Sequence, residues 1–261
     1  GAGWATSLGR LVMACFVLGK GWFWLEPHFR SFKAMTVRGR VMSKILRIGF
    51  PIGVQATLEY GIFAVLGLLV GLFGTVAMAS HQIAISLASA TFMVAVGLAQ
   101  VTTVLVGKSI GTGDAVAAKG FAGAGLLNVS MVMAVTGTTF FFFPEYLARL
   151  YTQDLAVIGL ATALIPIAGV FQIFDGLQAV ASGIMRGVGD TLIPMSINLI
   201  GFWLIGLPVS IYLSFGLGKA AAGLWMGMVV ALGVVCTALI VRLNKRFLKD
   251  VQLQSKIHRR K

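Results

Sequence analysis

Two carboxylates stand inside long apolar segments of this 261-residue chain. Glu59 follows the run LRIGFPIGVQATL, and Asp175 follows FQIF within a second apolar run. An acid at membrane depth loses several kcal/mol of hydration, so it usually faces a polar cavity or a partner and marks the path of an ion or substrate. The pair therefore indicates a site for a sodium ion or an exchangeable proton.

The two acids are predicted to lie at the same depth. Glu59 is 12 residues from Arg47, and Asp175 is 11 residues from Arg186. At about 1.5 Å per helical residue, both carboxylates are roughly 16 to 18 Å from the basic ends of their helices. In a hydrocarbon core about 30 Å thick this depth is near the middle, so helices that face each other could share one site.

Amide and hydroxyl side chains recur at helical spacing near these acids, and they could line a wet cavity. The alternative is that they join packed helices by hydrogen bonds, which is the better interpretation for the polar stripes, whereas function is the better one for the acids. The candidate cavity-lining residues are Gln55, Gln82, Gln172, Gln178 and Ser182.

The composition predicts an all-α polytopic membrane protein that positions these residues. The chain is 58% hydrophobic and 11% charged, whereas a soluble domain has about 25% charged residues. A membrane-spanning helix needs about 20 apolar residues. Seven segments qualify: 2–24, 48–73, 83–107, 120–143, 155–182, 193–215 and 220–241.

Basic residues predict the orientation of these seven helices. Seventeen of the 21 Lys and Arg residues fall on one side, in the tail and in alternate loops, and the other side has only Arg149 and Lys219. The side rich in Lys and Arg is therefore predicted to be cytoplasmic. This explains the net charge of +13 without a nucleic-acid partner. The basic segment 25–46 is expected to be a cytoplasmic linker, or alternatively a helix on the membrane surface.

Other chemistries find little support in the sequence. Only Cys15 and Cys236 occur, each in an apolar span, so neither a disulfide framework nor a zinc site is expected. No nucleophile stands beside a base, so an enzyme is not expected, and no cofactor motif is complete. The chain begins GAGWATSLGRL without an initiator Met, which indicates a segment of a larger protein.

Four separated motifs resemble the multidrug and toxic compound extrusion (MATE) family of secondary transporters, in the family's order. They are LRIGFPIGVQATLE at 46–59, the segment from ASHQIAISLASATF to GKSIGTGD at 79–114, FDGLQAVASGIMRGVGDT at 174–191, and GLPVSIYLSFGLGKAAAGLWMG at 206–227. The resemblance extends from Gly1 almost to the tail.

This resemblance implies a twelve-helix transporter with two six-helix lobes around a cleft. Residues 1–24 would be the last helix of the N-terminal lobe, 25–46 the interlobe linker, 47–243 the C-terminal lobe, and 244–261 a basic cytoplasmic tail. The family exports small organic, often cationic, compounds across the inner (plasma) membrane by sodium or proton antiport with alternating access. The partners implied are the lipid bilayer and the missing N-terminal lobe.

The resemblance also assigns roles to single residues. Glu59 and Asp175 match the acids that the NorM-type branch uses for cation coupling, with sodium as the metal if one binds. Phe171 stands where some relatives have a Tyr whose hydroxyl could be a ligand, so sodium and proton both stay open. The alternative within transport is a lipid-linked oligosaccharide flippase, and a membrane-embedded enzyme is the alternative from another class.

Overall fold

The structure, a computed structural model, describes residues 2–30 and 39–258, and every regular element there is helical. This confirms the all-α prediction. The elements are α1 (Ala2–Arg30), α2 (Gly39–Gly71), α3 (Thr75–Gly111), α4 (Ala115–Phe142), α5 (Pro144–Arg149), α6 (Leu155–Gly187), α7 (Leu192–Asn198), the π-helix π1 (Leu199–Gly206), α8 (Leu207–Ile211), the π-helix π2 (Tyr212–Gly216) and α9 (Ala220–His258).

The chain divides into two compact units, Gly1–Arg47 and Ile48–Lys261. In the first unit, α1 exposes large apolar side chains such as Trp4 and Phe16. All of the candidate site residues lie in the second unit.

Within the described residues, six helices are long and apolar enough to cross a membrane. They match six of the seven predicted spans, at Val41–Gly71, Thr75–Gly111, Ala115–Phe142, Leu155–Gly187, Leu192–Gly216 and Ala220–Lys245. The first predicted span, 2–24, lies in α1, which is not among them, so the count of seven stays a prediction.

The predicted linker and tail are partly helical. Helix α1 continues to Arg30 and α2 begins at Gly39, inside the predicted linker 25–46, and α9 continues to His258. The rest of that linker, 31–38, lies outside the described residues. Polar and basic residues do not by themselves end a helix. Counting apolar residues therefore locates the membrane-spanning part but underestimates the length of the helix.

Helix α6 packs against α3, α4 and α9, and glycines permit its close approach to them. A Cβ added at Gly183 would lie 2.8 Å from the carbonyl oxygen of Ala99 on α3. One added at Gly137 of α4 would lie 2.9 Å from the carbonyl oxygen of Gly169 on α6. Small residues allow this backbone contact, which fixes α6 and the acid it carries.

The span Leu192–Gly216 is irregular. Two segments of it, π1 and π2, have the wider π-helical turn, which shifts the face that each following side chain presents. The span packs along α9, where Val235 fills the space beside Gly201.

Candidate cation site

Two contacts define the stretch over which α2 and α6 face each other. The Gln55 side-chain nitrogen donates a hydrogen bond of 3.3 Å to the Ser182 hydroxyl. Further along α2, the Phe63 ring packs edge to face on Phe171, with ring centroids 5.9 Å apart. Residue numbers rise along α2 as they fall along α6, so the two helices run antiparallel here.

Glu59 and Asp175 both lie within this facing stretch. Glu59 is midway between the two contact positions of α2, and Asp175 lies between those of α6. The two carboxyl groups interact unfavourably when both are charged. Asp175 is only 6% exposed, and Glu59 is half-buried. The structure thus brings together the two acids for which the sequence predicts a common depth.

The other predicted polar residues divide into two groups. Four of them, Gln55, Gln172, Gln178 and Ser182, are at most 4% exposed. Gln82 lies on α3 with its side chain exposed, outside this buried group. Helical spacing along α3 does not reveal which face of that helix turns toward α6, which explains the difference.

Gln178 lies next to one of the two acids, Glu59. Its side-chain amide interacts favourably with the charged Glu59 carboxylate. Its oxygen, Oε1, is buried and has no hydrogen-bond partner among the described residues. A buried amide oxygen without a donor is costly and unusual, so it needs a physical explanation.

Thr91 of α3 was not predicted and holds Gln172. Its hydroxyl donates to the Gln172 side-chain oxygen, while the Gln172 side-chain nitrogen has no partner among the described residues. Thr91 is 17 residues from Lys108, and Gln172 is 14 from Arg186, so the two lie at similar depths. The Thr91–Gln172 contact could have been predicted by comparing, for every polar residue, its distance along the helix from the basic end, as was done for the two acids.

An aromatic cluster closes one end of the polar region. Phe171 also packs edge to face on Trp225, with centroids 5.4 Å apart, and is 2% exposed. The Trp225 indole donates a 3.2 Å hydrogen bond to the Nδ1 atom of buried His81. Phe171 therefore serves as packing at the position where a Tyr could have been a ligand.

Arg186 lies beyond the other end of the polar region. It is in the last turn of α6 and is half-buried. Its charge interacts favourably with that of Glu59. A long side chain leans toward the N-terminal end of its helix, so the guanidinium is directed back toward Ser182 and the acids.

The donor set at this site suits a hard cation or a proton. In the described ranges, 2–30 and 39–258, no three His, Cys, Asp or Glu side chains gather as transition-metal ligands. The site instead combines two carboxylates with amide and hydroxyl oxygens. Such ligands prefer hard cations, and a carboxylate can equally take up a proton.

Comparison with known proteins now places this site within a family. The family model described as MatE matches residues 51–212, more than half of the chain, and this match includes both acids. The chain belongs to the MatE family.

Curated relatives of this MatE chain include proteins named NorM. It is 42% identical over 212 residues to a probable multidrug resistance protein NorM of Rhizobium meliloti, covering 79% of the chain and 44% of the relative. It is 36% identical over 254 residues to a protein of the same name from Brucella suis, covering 93% of the chain and 53% of the relative. The chain spans about half the length of the curated relatives it matches.

Solved structures share the fold of the MatE chain. The eukaryotic MATE transporter AtDTX14 matches with a TM-score of 0.75 at 24% identity, over 82% of this chain and 50% of that one. A MATE protein in the bent conformation matches with a TM-score of 0.83 at 16% identity, over 98% of this chain and 57% of that one. These neighbours show the fold alone.

Proposed function

We propose that the MatE chain is the C-terminal half of a secondary transporter that exports small organic compounds in exchange for sodium or protons. One observation carries the proposal: two acids from helices far apart in the sequence lie on the stretch where α2 and α6 face each other, among buried polar side chains. The relatives named multidrug resistance proteins support export of drug-like compounds as the activity.

The coupling mechanism follows from the repulsion between the two carboxylates. With neither ion nor proton present, two nearby negative charges in an apolar setting disfavour close packing of α2 against α6. A bound cation or proton removes that repulsion and stabilises the closely packed arrangement. Because only one arrangement gains this energy, ion binding shifts the population between outward-open and inward-open states.

An acidic site favours a cation over the pyrophosphate of a lipid-linked oligosaccharide. A flippase for such a lipid would need basic groups in the cleft, whereas the charge of Arg186 at the end of α6 interacts favourably with that of Glu59. The relatives are named as multidrug resistance proteins, so transport is proposed in preference to catalysis.

The test is drug efflux by the full-length transporter in inside-out vesicles under an imposed sodium or proton gradient. Asp175→Asn and Glu59→Gln should each lose most of the gradient-driven efflux while inserting normally. Glu145→Gln is the matched control, because Glu145 is exposed on α5 and pairs with Arg149 on the surface. Full efflux by both acid variants would refute the proposal.

A further inference from the structure

The two acids alone do not explain why the side-chain oxygen of Gln178 is buried without a hydrogen-bond donor among the described residues. The side chain is 1% exposed and its amide lies against Glu59, yet the buried Oε1 atom has no hydrogen-bond partner among the described residues. Burying such an acceptor without a donor or a cation is unfavourable.

Gln178 is placed where it can add a ligand to the acid pair. It lies one helical turn after Asp175 and one turn before Ser182, on the α6 face that meets α2. Glu59 has the corresponding position on α2, one turn from Gln55. The amide interacts with Glu59 and lies one turn from Asp175 on the same helix, and rotation about the last side-chain bond exchanges which of its two polar atoms faces Glu59.

The two orientations of this amide have opposite electrostatic preferences. With the nitrogen toward Glu59, the amide donates to a bare carboxylate. With the oxygen toward the acids, its negative end adds to their repulsion unless a positive ion lies between them. A sodium ion binds several oxygen atoms at once, as hard cations do, whereas a proton is held by one carboxylate.

We propose that Gln178 supplies a neutral oxygen ligand that lets the Glu59 and Asp175 site bind sodium, and so determines whether sodium is a driving ion. This inference rests on the proposed cation coupling at the two acids. It adds a specificity-determining residue to them and names the ion.

Gln172 provides a matched control on the same helix. It is an equally buried Gln near Asp175, but its oxygen is already engaged by the Thr91 hydroxyl, and the free group is an amide nitrogen. An N–H group cannot ligate a cation. Loss of Gln172 should disturb packing as much as loss of Gln178, without changing which ion is bound.

The experiment measures binding of radioactive sodium to the purified full-length transporter, together with efflux driven by a proton gradient in sodium-free vesicles. Gln178→Leu should weaken sodium binding by about tenfold or more, as loss of a group that supports a metal site does, while proton-driven efflux continues. Gln178→Glu, which keeps an oxygen in place, should retain sodium binding. Gln172→Leu should bind sodium as the unchanged protein does.

Several outcomes would overturn the inference and leave proton coupling at the acids intact. These are no sodium binding by the unchanged protein, native binding by Gln178→Leu, or equal weakening by the Gln178 and Gln172 variants. If Gln178→Leu does not fold, Gln178→Met is measured against the same criteria. Asp175→Asn and Glu59→Gln separate the two proposals, because full efflux by both of these variants would refute the proposed function itself.

Discussion

The indole nitrogen of Trp203 donates a 3.1 Å hydrogen bond to the carbonyl oxygen of Leu58, the residue directly before Glu59. The same ring covers Gly61, where an added Cβ would come within 3.3 Å of it. Trp203 belongs to π1, which packs on α9. The backbone of α2 is thus tied, at the level of its acid, to a different membrane span.

Trp203→Phe should loosen this connection while keeping an aromatic ring over Gly61. A lost hydrogen bond of this kind costs about 1 kcal/mol of stability, and Glu59 should be held less firmly against Asp175. We expect a lower melting temperature of the purified protein and weaker gradient-driven efflux. The control is Trp4→Phe, at a side chain that is 81% exposed, which should change neither the melting temperature nor the efflux. A Trp203→Phe variant with native melting temperature and efflux would show that the hydrogen bond is dispensable.

The Gln55 and Ser182 pair joins α2 to α6 by a buried hydrogen bond. Ser182→Ala should destabilise the protein by about 1 to 3 kcal/mol, because it leaves the Gln55 amide buried without its partner. Gln55→Leu combined with Ser182→Ala removes both polar groups and should cost less than the sum of the single changes. Thermal melting of the four proteins in detergent measures this coupling.

Thr57→Ala is the control for that cycle. Thr57 is exposed on α2 and its hydroxyl donates a hydrogen bond to the Gly53 carbonyl of its own helix. Its loss should leave the melting temperature nearly unchanged. Strictly additive effects of the Gln55 and Ser182 changes would contradict a direct bond between the two side chains.

Gly183 and Gly159 should respond in opposite directions to the same change. An Ala at Gly183 would place its Cβ 2.8 Å from the Ala99 carbonyl oxygen, whereas nothing lies within 4 Å of a Cβ at Gly159. Gly183→Ala should destabilise by about 1 to 3 kcal/mol through overpacking of α3 against α6. Gly159→Ala should stabilise α6 by up to about 1 kcal/mol. Equal melting temperatures of the Gly183→Ala and Gly159→Ala variants would mean that α3 and α6 can move apart to accommodate the added methyl group.

The sequence predicted which two acids lie on facing helices better than it predicted which way the neighbouring side chains turn. Distance along a helix from a basic end converts directly into depth, which is why Glu59 and Asp175 could be paired before the structure was known. Rotation of one helix against its neighbour depends on packing across the whole interface. Because this rotation cannot be read from the sequence, the sequence did not show that Gln82 is exposed whereas Gln178 is buried.

Two features that position Glu59 and its surroundings, the Trp203 hydrogen bond and the π-helical turns, could hardly be predicted from the sequence. The partner of Trp203 is a backbone carbonyl, a group that every residue has, so residue type alone could not identify Leu58. The π-helical turns of π1 and π2 have no distinctive composition, yet they change which side chains of that span face inward. Buried Trp needs an acceptor for its N–H, and that requirement was the only available hint.

A double-mutant cycle of gradient-driven efflux tests the central claim, that Glu59 and Asp175 form one site. Groups that act as a unit are strongly non-additive. Efflux is measured for Glu59→Gln, Asp175→Asn and the double variant in the full-length transporter, at equal amounts of inserted protein. We predict that the double variant is no more impaired than the worse single variant. Losses that multiply, so that the double variant falls to the product of the two single effects, would show two independent sites and contradict the account.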